Sequence, residues 1–329
     1  MLTSLLDLRD TLSLTRGWTE RDWQGQRVLA AEFGGNEMRF RVANTKRLAL
    51  HIVTEPYVFC HVLADGRHIA KIRPEANPAI IDIPVSPAGT EVTFLRTAVS
   101  SGPFYVDAMV IAADTDEGAT FLSPTTPVPE KVFATFGDSI SGNCCIGDDA
   151  PFDPYGLGYG YQICERFGWQ YFNCARDGSG VCCTPFDNPL AIDRVEKDLL
   201  RHNPDFLLVY YGTNDVRNIV TADQFREGYS NLLERIIAGL PNARIATSGL
   251  LWTGIVTDEK IESFNDVIRD LSAQLHLPYC HPKPLFTIDD FCDDVHPGVG
   301  GQKKLARVFG DFLAAHWPEC QQSPKAAHS

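Results

Sequence analysis

Four short segments of the chain bring together a nucleophile, a base, a carboxylate and hydrogen-bond donors. In Gly137-Asp138-Ser139-Ile140 an apolar run ends in a glycine and presents a hydroxyl. Serine is a weak nucleophile until a base takes its proton. An imidazole titrates near neutrality and suits that task, and His296 in Asp293-Asp294-Val295-His296 is the candidate. Asp293 stands three residues earlier in a turn-prone stretch, so one loop can present both groups, the carboxylate fixing the imidazole tautomer and stabilising the imidazolium. The anionic oxygen of a tetrahedral intermediate needs preorganised donors. The backbone N–H groups of Ser139 and Gly178 and the side-chain amide of Asn214 supply three. Gly178 closes Asn173-Cys174-Ala175-Arg176-Asp177-Gly178, and Asn214 lies within Gly212-Thr213-Asn214-Asp215. Together the segments cover the roles that acyl transfer through serine requires.

These residues need elements to hold them. Buried-type runs at 131–136, 169–174, 206–211, 243–249 and 277–280 alternate with helical patterns, and the four chemical segments are expected where such strands end, the segment at 293–296 lying ahead of the final helix. Ile261, Phe264, Ile268, Leu271 and Leu275 fall three and four apart and form one helical stripe over 258–275. Thr221 and Gln224 form a capping box for a helix carrying Phe225, Tyr229, Leu232 and Ile236. A last helix near 302–317 repeats the stripe at Leu305, Val308, Phe309 and Phe312. Five strands separated by helices predict a parallel sheet covered on both faces, with a ligand site at the carboxyl ends of its strands.

Residues 27–112 read differently. Met38, Phe40 and Val42 alternate with Glu37, Arg39 and Arg41, and Leu48, Leu50 and Ile52 repeat the period of two. Further strands are expected at 58–63, 68–72, 80–85, 91–95 and 104–111, with Asp65-Gly66 as a hairpin turn. This predicts an all-β sandwich or jelly roll over 1–112. Residues 113–130, with Pro124, Pro127 and Pro129, read as a linker, 131–320 as the α/β domain and 321–329 as a tail. Trp18, Trp23, Tyr57, Phe104 and Tyr105 are expected in the sandwich core rather than on a sugar-binding face.

A serine in Gly-Asp-Ser, an isolated glycine, Gly-x-Asn-Asp and Asp-x-x-His, in that order over residues 131 to about 317, resembles the SGNH (GDSL-type) hydrolase superfamily. Ile140 stands where leucine is usual. The resemblance implies a three-layer α/β fold with a five-stranded, flavodoxin-like parallel sheet. It also implies Ser139, His296 and Asp293 as catalytic residues, Ser139, Gly178 and Asn214 as the oxyanion hole, and no metal or organic cofactor. With a jelly roll in front, the chain is similar to the two-domain carbohydrate esterases of family 2, which implies removal of acetyl groups from an oligosaccharide or polysaccharide. In that family the triad aspartate is not always present. Asp138 is a further candidate for substrate contact, as is Trp252, whose indole can stack on a sugar ring or lie in the core with equal expectation. Asp290 and Asp294 read as solvated loop charges. The alternatives are a lipid-like or aryl ester hydrolase, and a carbohydrate-binding protein whose hydrolase domain is inactive.

Composition excludes other classes. Across 329 residues, 42 acidic and 29 basic side chains give a net charge of −13, with no Lys/Arg block to mark a nucleic-acid or anionic-membrane partner. No apolar run approaches the roughly 18 residues of a membrane span. Residues 1–10 lack the pattern of a secretory leader, so a cytoplasmic location is expected, or a secreted one if a leader was removed. The ten cysteines include two vicinal pairs, Cys144-Cys145 and Cys182-Cys183, expected on neighbouring loops. Free thiols are favoured there over a disulfide between the loops, and a disulfide over a metal site.

Overall fold

The alternation of apolar and polar side chains in the first hundred residues becomes two antiparallel sheets. The structure, a computed structural model, describes residues 1–55, 58–72, 78–97, 107–144, 146, 156–251 and 253–321. By packing, a first unit runs to Glu130 and a second begins at Lys131. In the first, one sheet has the order Trp18–Trp23, Gln26–Ala31, Ala108–Thr115, Leu48–Thr54, Ala79–Ile83, with Leu2–Ser4 also paired to Ala108–Thr115. The other has the order Thr120–Leu122, Glu37–Ala43, Thr90–Arg96, Cys60–Ala64, Arg67–Ile72, with Ser13–Leu14 also paired to Glu37–Ala43. Register puts Met38 opposite Phe94 and Phe40 opposite Val92, all fully buried, while Leu48 and Ile52 lie opposite Ile83 and Ala79. A side chain buried this way typically contributes about 1.5–3 kcal/mol.

Asp65 (φ 48°) and Gly66 (φ 75°) form the expected tight turn between Cys60–Ala64 and Arg67–Ile72. A second hairpin, unpredicted, turns at Gln24 and Gly25 (φ 49° and 80°) between Trp18–Trp23 and Gln26–Ala31. The segment expected as a linker also differs. The strand from Ala108 continues to Thr115, and Thr120–Leu122 pairs with Glu37–Ala43, so the sandwich takes up these residues. Trp18 is buried against Phe94 with its Nε1 donating to the Glu37 carbonyl, and Trp23 is half-buried. Tyr57, Phe104 and Tyr105 lie outside the described residues.

The second unit holds β1 (Val132–Gly137), β2 (Gln170–Asn173), β3 (Phe206–Tyr210), β4 (Arg244–Ser248) and β5 (Tyr279–Cys280), all parallel in the order β2-β1-β3-β4-β5. This is the flavodoxin-like order, whose direction reverses between β1 and β3; ligands of such sheets bind at the carboxyl ends beside that reversal. The helices are α1 (Ser139–Gly142), α2 (Tyr159–Phe167), α3 (Ala191–Arg194), α4 (Thr213–Val216), α5 (Ala222–Gly239), α6 (Asp258–Gln274) and α7 (Val299–His316). Tyr159 of α2 packs edge-on against Phe309 of α7, and the rings of Phe225 of α5 and Phe264 of α6 meet at a tilt of 33°. The α5 cap is the capping box read from Thr221 and Gln224. Among the described residues no helix is long and apolar enough to cross a membrane.

Candidate active site

Ser139 is the first residue of α1, immediately past β1. Asp138 caps this short helix, its Oδ1 accepting the Ile140 N–H at 3.0 Å. It has no exposed surface, which corrects its assignment to substrate contact: the carboxylate fixes the turn that carries Ser139. Burial pushes the Asp138 carboxyl up to about 7, against the Ile140 N–H and the Thr213 hydroxyl, which favour the ionised form. Gln302 of α7 ties the turn to its neighbours, donating to the Ile140 carbonyl (3.4 Å) and accepting from the Tyr159 N–H (3.1 Å).

His296 reaches Ser139 from the loop before α7. Its Nε2 lies 2.8 Å from Ser139 Oγ and its Nδ1 lies 2.7 Å from Asp293 Oδ2. A carboxylate only accepts, so Nδ1 carries the proton of the neutral ring and Nε2 is free to accept from the serine hydroxyl. Asp293 Oδ1 also accepts the N–H groups of Val295 (2.7 Å) and His296 (2.6 Å). Partial burial pushes the Asp293 carboxyl up, but the His296 ring and these two N–H groups outweigh it and hold it below its ordinary value. The loop is closed on itself. Phe291 and Pro297 form an antiparallel bridge, Cys292 N–H donates to the His296 carbonyl, and Gly298 N–H donates to the Asp290 carbonyl. Asp290 is not the solvated charge expected. It is mostly buried, accepts the Thr287 N–H and pairs with Lys304 of α7 at 2.6 Å. Asp294 is exposed.

Gly178 follows β2 at φ 72°, a left-handed conformation that glycine adopts without strain. Asn214 lies in α4 past β3. One of its side-chain N–H groups donates to the Ser179 carbonyl at 2.9 Å, and the other has no acceptor among the described residues. The bond joins the two expected oxyanion donors through Ser179. Asp215, quoted in the sequence only as part of a motif, is fully buried and accepts three backbone N–H groups, from Val181 (2.9 Å), Cys182 (2.7 Å) and Cys183 (3.2 Å). Burial nevertheless raises its carboxyl above the ordinary value. Gly180 leaves room for this packing, since a Cβ there would meet the Cys183 carbonyl at 2.1 Å.

Cys144, Cys182 and Cys183 are free thiols. Burial, then the Asp215 charge, pushes the thiols of Cys182 and Cys183 up to about 11, so both stay protonated at neutral pH. Cys145 and Trp252 lie outside the described residues.

Comparison with known proteins bears on this geometry. The profile of the GDSL-like lipase/acylhydrolase family matches residues 135–304, and no curated protein sequence matches. Solved structures share the fold over nearly the whole chain. A family two carbohydrate esterase from Cellvibrio japonicus superposes with a TM-score of 0.79 at 16% identity, covering 94% of this chain and 96% of that one. Its counterpart from Clostridium thermocellum, solved with cellohexaose, gives 0.74 at 14% identity, with coverage of 94% and 99%. An acetyl xylan esterase from the rumen bacterium Butyrivibrio proteoclasticus gives 0.72 at 17% identity, with coverage of 97% and 100%.

Proposed function

The chain belongs to the GDSL-like lipase/acylhydrolase family, and from that premise we propose that it is a serine esterase removing acetyl groups from carbohydrate hydroxyls. The observation that carries the reading is the continuous hydrogen-bonded line Ser139 Oγ–His296 Nε2–Nδ1–Asp293 Oδ2, with steps of 2.8 and 2.7 Å. Ser139 Oγ bonds to the acetyl carbon as its proton passes to His296 Nε2. The carbonyl oxygen becomes an anion facing the Ser139 and Gly178 N–H groups and the Asn214 amide. The bond to the sugar oxygen then breaks, and His296 returns the proton to that oxygen. Water attacks the acetyl-serine by the same route, its proton moving to His296, and acetate leaves as Ser139 regains its hydrogen.

A carbohydrate as the alcohol is supported by the neighbours, which share both domains: one is described as an acetyl xylan esterase and another was solved with cellohexaose. The test is the initial rate on p-nitrophenyl acetate, butyrate and octanoate for the wild type and Ser139→Ala, followed by acetate release from acetylated xylan. Preference for acetate, and loss of at least 10³-fold in Ser139→Ala, fits the proposal. Preference for octanoate would assign a lipid-like substrate instead. Equal rates for the two proteins would leave the carbohydrate-binding alternative.

A further inference from the structure

Below the catalytic loops lies a buried arginine with no part in the chemistry just described. Arg194 ends α3 and has only 2% of its side chain exposed. The helix does not continue regularly past it: Val195–Leu199 winds as a π-helix, a form found mostly in short stretches at functional sites. The guanidinium lies over the Phe136 ring, 4.7 Å from its centre. Its Nη1 and Nη2 both donate to the Cys174 carbonyl (2.9 and 2.7 Å), and Nη2 also reaches the Gly137 carbonyl (3.3 Å) and the Tyr211 hydroxyl (2.7 Å). Nε donates to that same hydroxyl at 3.2 Å, and Asp198, one turn on, balances the charge at 2.5 Å.

The acceptors mark three strand ends. Gly137 ends β1, two residues before Ser139; Cys174 follows β2, four residues before Gly178; Tyr211 follows β3, three residues before Asn214. The network continues upward. Ser179 Oγ donates to the Pro189 carbonyl (3.0 Å), and arginine has no acceptor, so the Tyr211 hydroxyl hydrogen is directed to Ser179 Oγ at 3.4 Å. Ser179 in turn holds the Asn214 amide through its carbonyl. One planar, rigid fork thus touches the roots of all three segments that carry the nucleophile and the oxyanion donors. A lysine, as a point charge, cannot reproduce that geometry.

We propose that Arg194 is a positioning residue for the esterase reaction: it sets the spacing of Ser139, Gly178 and Asn214 by clamping the carboxyl ends of β1, β2 and β3. The inference rests on Ser139 being the nucleophile, and the experiment keeps the two apart. Wild type, Ser139→Ala, Arg194→Lys and Tyr211→Phe are compared for kcat and KM on p-nitrophenyl acetate, with near-UV circular dichroism and thermal melts on the same samples. In Arg194→Lys, kcat is expected to fall at least tenfold while KM stays within about twofold, in protein that is fully folded at the assay temperature. Tyr211→Phe, which keeps the ring and removes the hydroxyl that accepts from Arg194 and donates to Ser179, is expected to lose kcat severalfold in the same manner, and it carries the test if Arg194→Lys does not fold. Unchanged kcat in a folded variant, or a loss equal to the unfolded fraction, would make Arg194 a stability residue only and overturn the proposal. Retention of turnover by Ser139→Ala would instead overturn the nucleophile assignment.

Discussion

Removing the Asn214 amide leaves Ser139, His296 and Asp293 untouched and takes away one of the donors proposed for the developing oxyanion. Asn214→Ala is therefore expected to lower kcat by about 10²–10³ with little change in KM, measured on p-nitrophenyl acetate. In the proposed mechanism Asp293 acts through His296, holding the ring by the 2.7 Å bond to Nδ1. Asp293→Asn should lower kcat on the order of a hundredfold or more, because the amide no longer fixes the imidazole tautomer or stabilises the imidazolium formed during the reaction. A variant that keeps the wild-type kcat would show that Asp293 does not act on the base. Ser139, His296, Asp293 and Asn214 were legible in the sequence as candidates because each has a chemical type that acyl transfer demands, and the structure brings the first three into one hydrogen-bonded line. Arg194 and Asp215 were not. Most of their partners are backbone carbonyls and N–H groups, joined for Arg194 by the Tyr211 hydroxyl and Asp198, from segments up to 57 residues away, and such convergence exists only after the strand ends meet.

At the scale of elements, the turn between β1 and α1 places a buried carboxyl directly before Ser139. Asp138 is raised in the folded state to about 7 from an ordinary 3.8, so its protonated form is the one the fold favours. Its contribution to stability is fully present below about pH 4 and is lost as pH rises through about 7. Asp177 is raised to the same range, first by burial and then by the Asp138 charge. Asp138→Asn keeps an oxygen for the Ile140 N–H and removes the titration. Urea melts should therefore show the variant gaining on the wild type by on the order of a few kcal/mol between pH 4.5 and pH 8; an equal difference at both pH values would contradict this. The strand-helix alternation was readable from apolar runs, whereas the strand order that reverses beside Ser139 was implied only by the family resemblance. The strand Thr120–Leu122 was not, since three residues in a stretch with prolines nearby carry no periodicity of their own and are fixed only by pairing to Glu37–Ala43.

For the whole molecule, a net charge of −13 sets up a field that disfavours anionic substrates. Acetylated neutral xylo- or cello-oligosaccharides are expected to show higher kcat/KM than acetylated oligouronates at low salt, with the gap narrowing as about 0.15 M salt shortens the screening length to about 8 Å. A gap that does not respond to salt would trace the preference to contacts within the cleft. The closed loop before α7 has a different kind of consequence. The proposed base and its orienting carboxylate are encoded within four consecutive residues, while the proposed nucleophile lies 157 residues upstream of the histidine. Gene recombination between related domains can therefore exchange any piece between these points without separating His296 from Asp293, and the pair is inherited, transplanted or deleted as one unit.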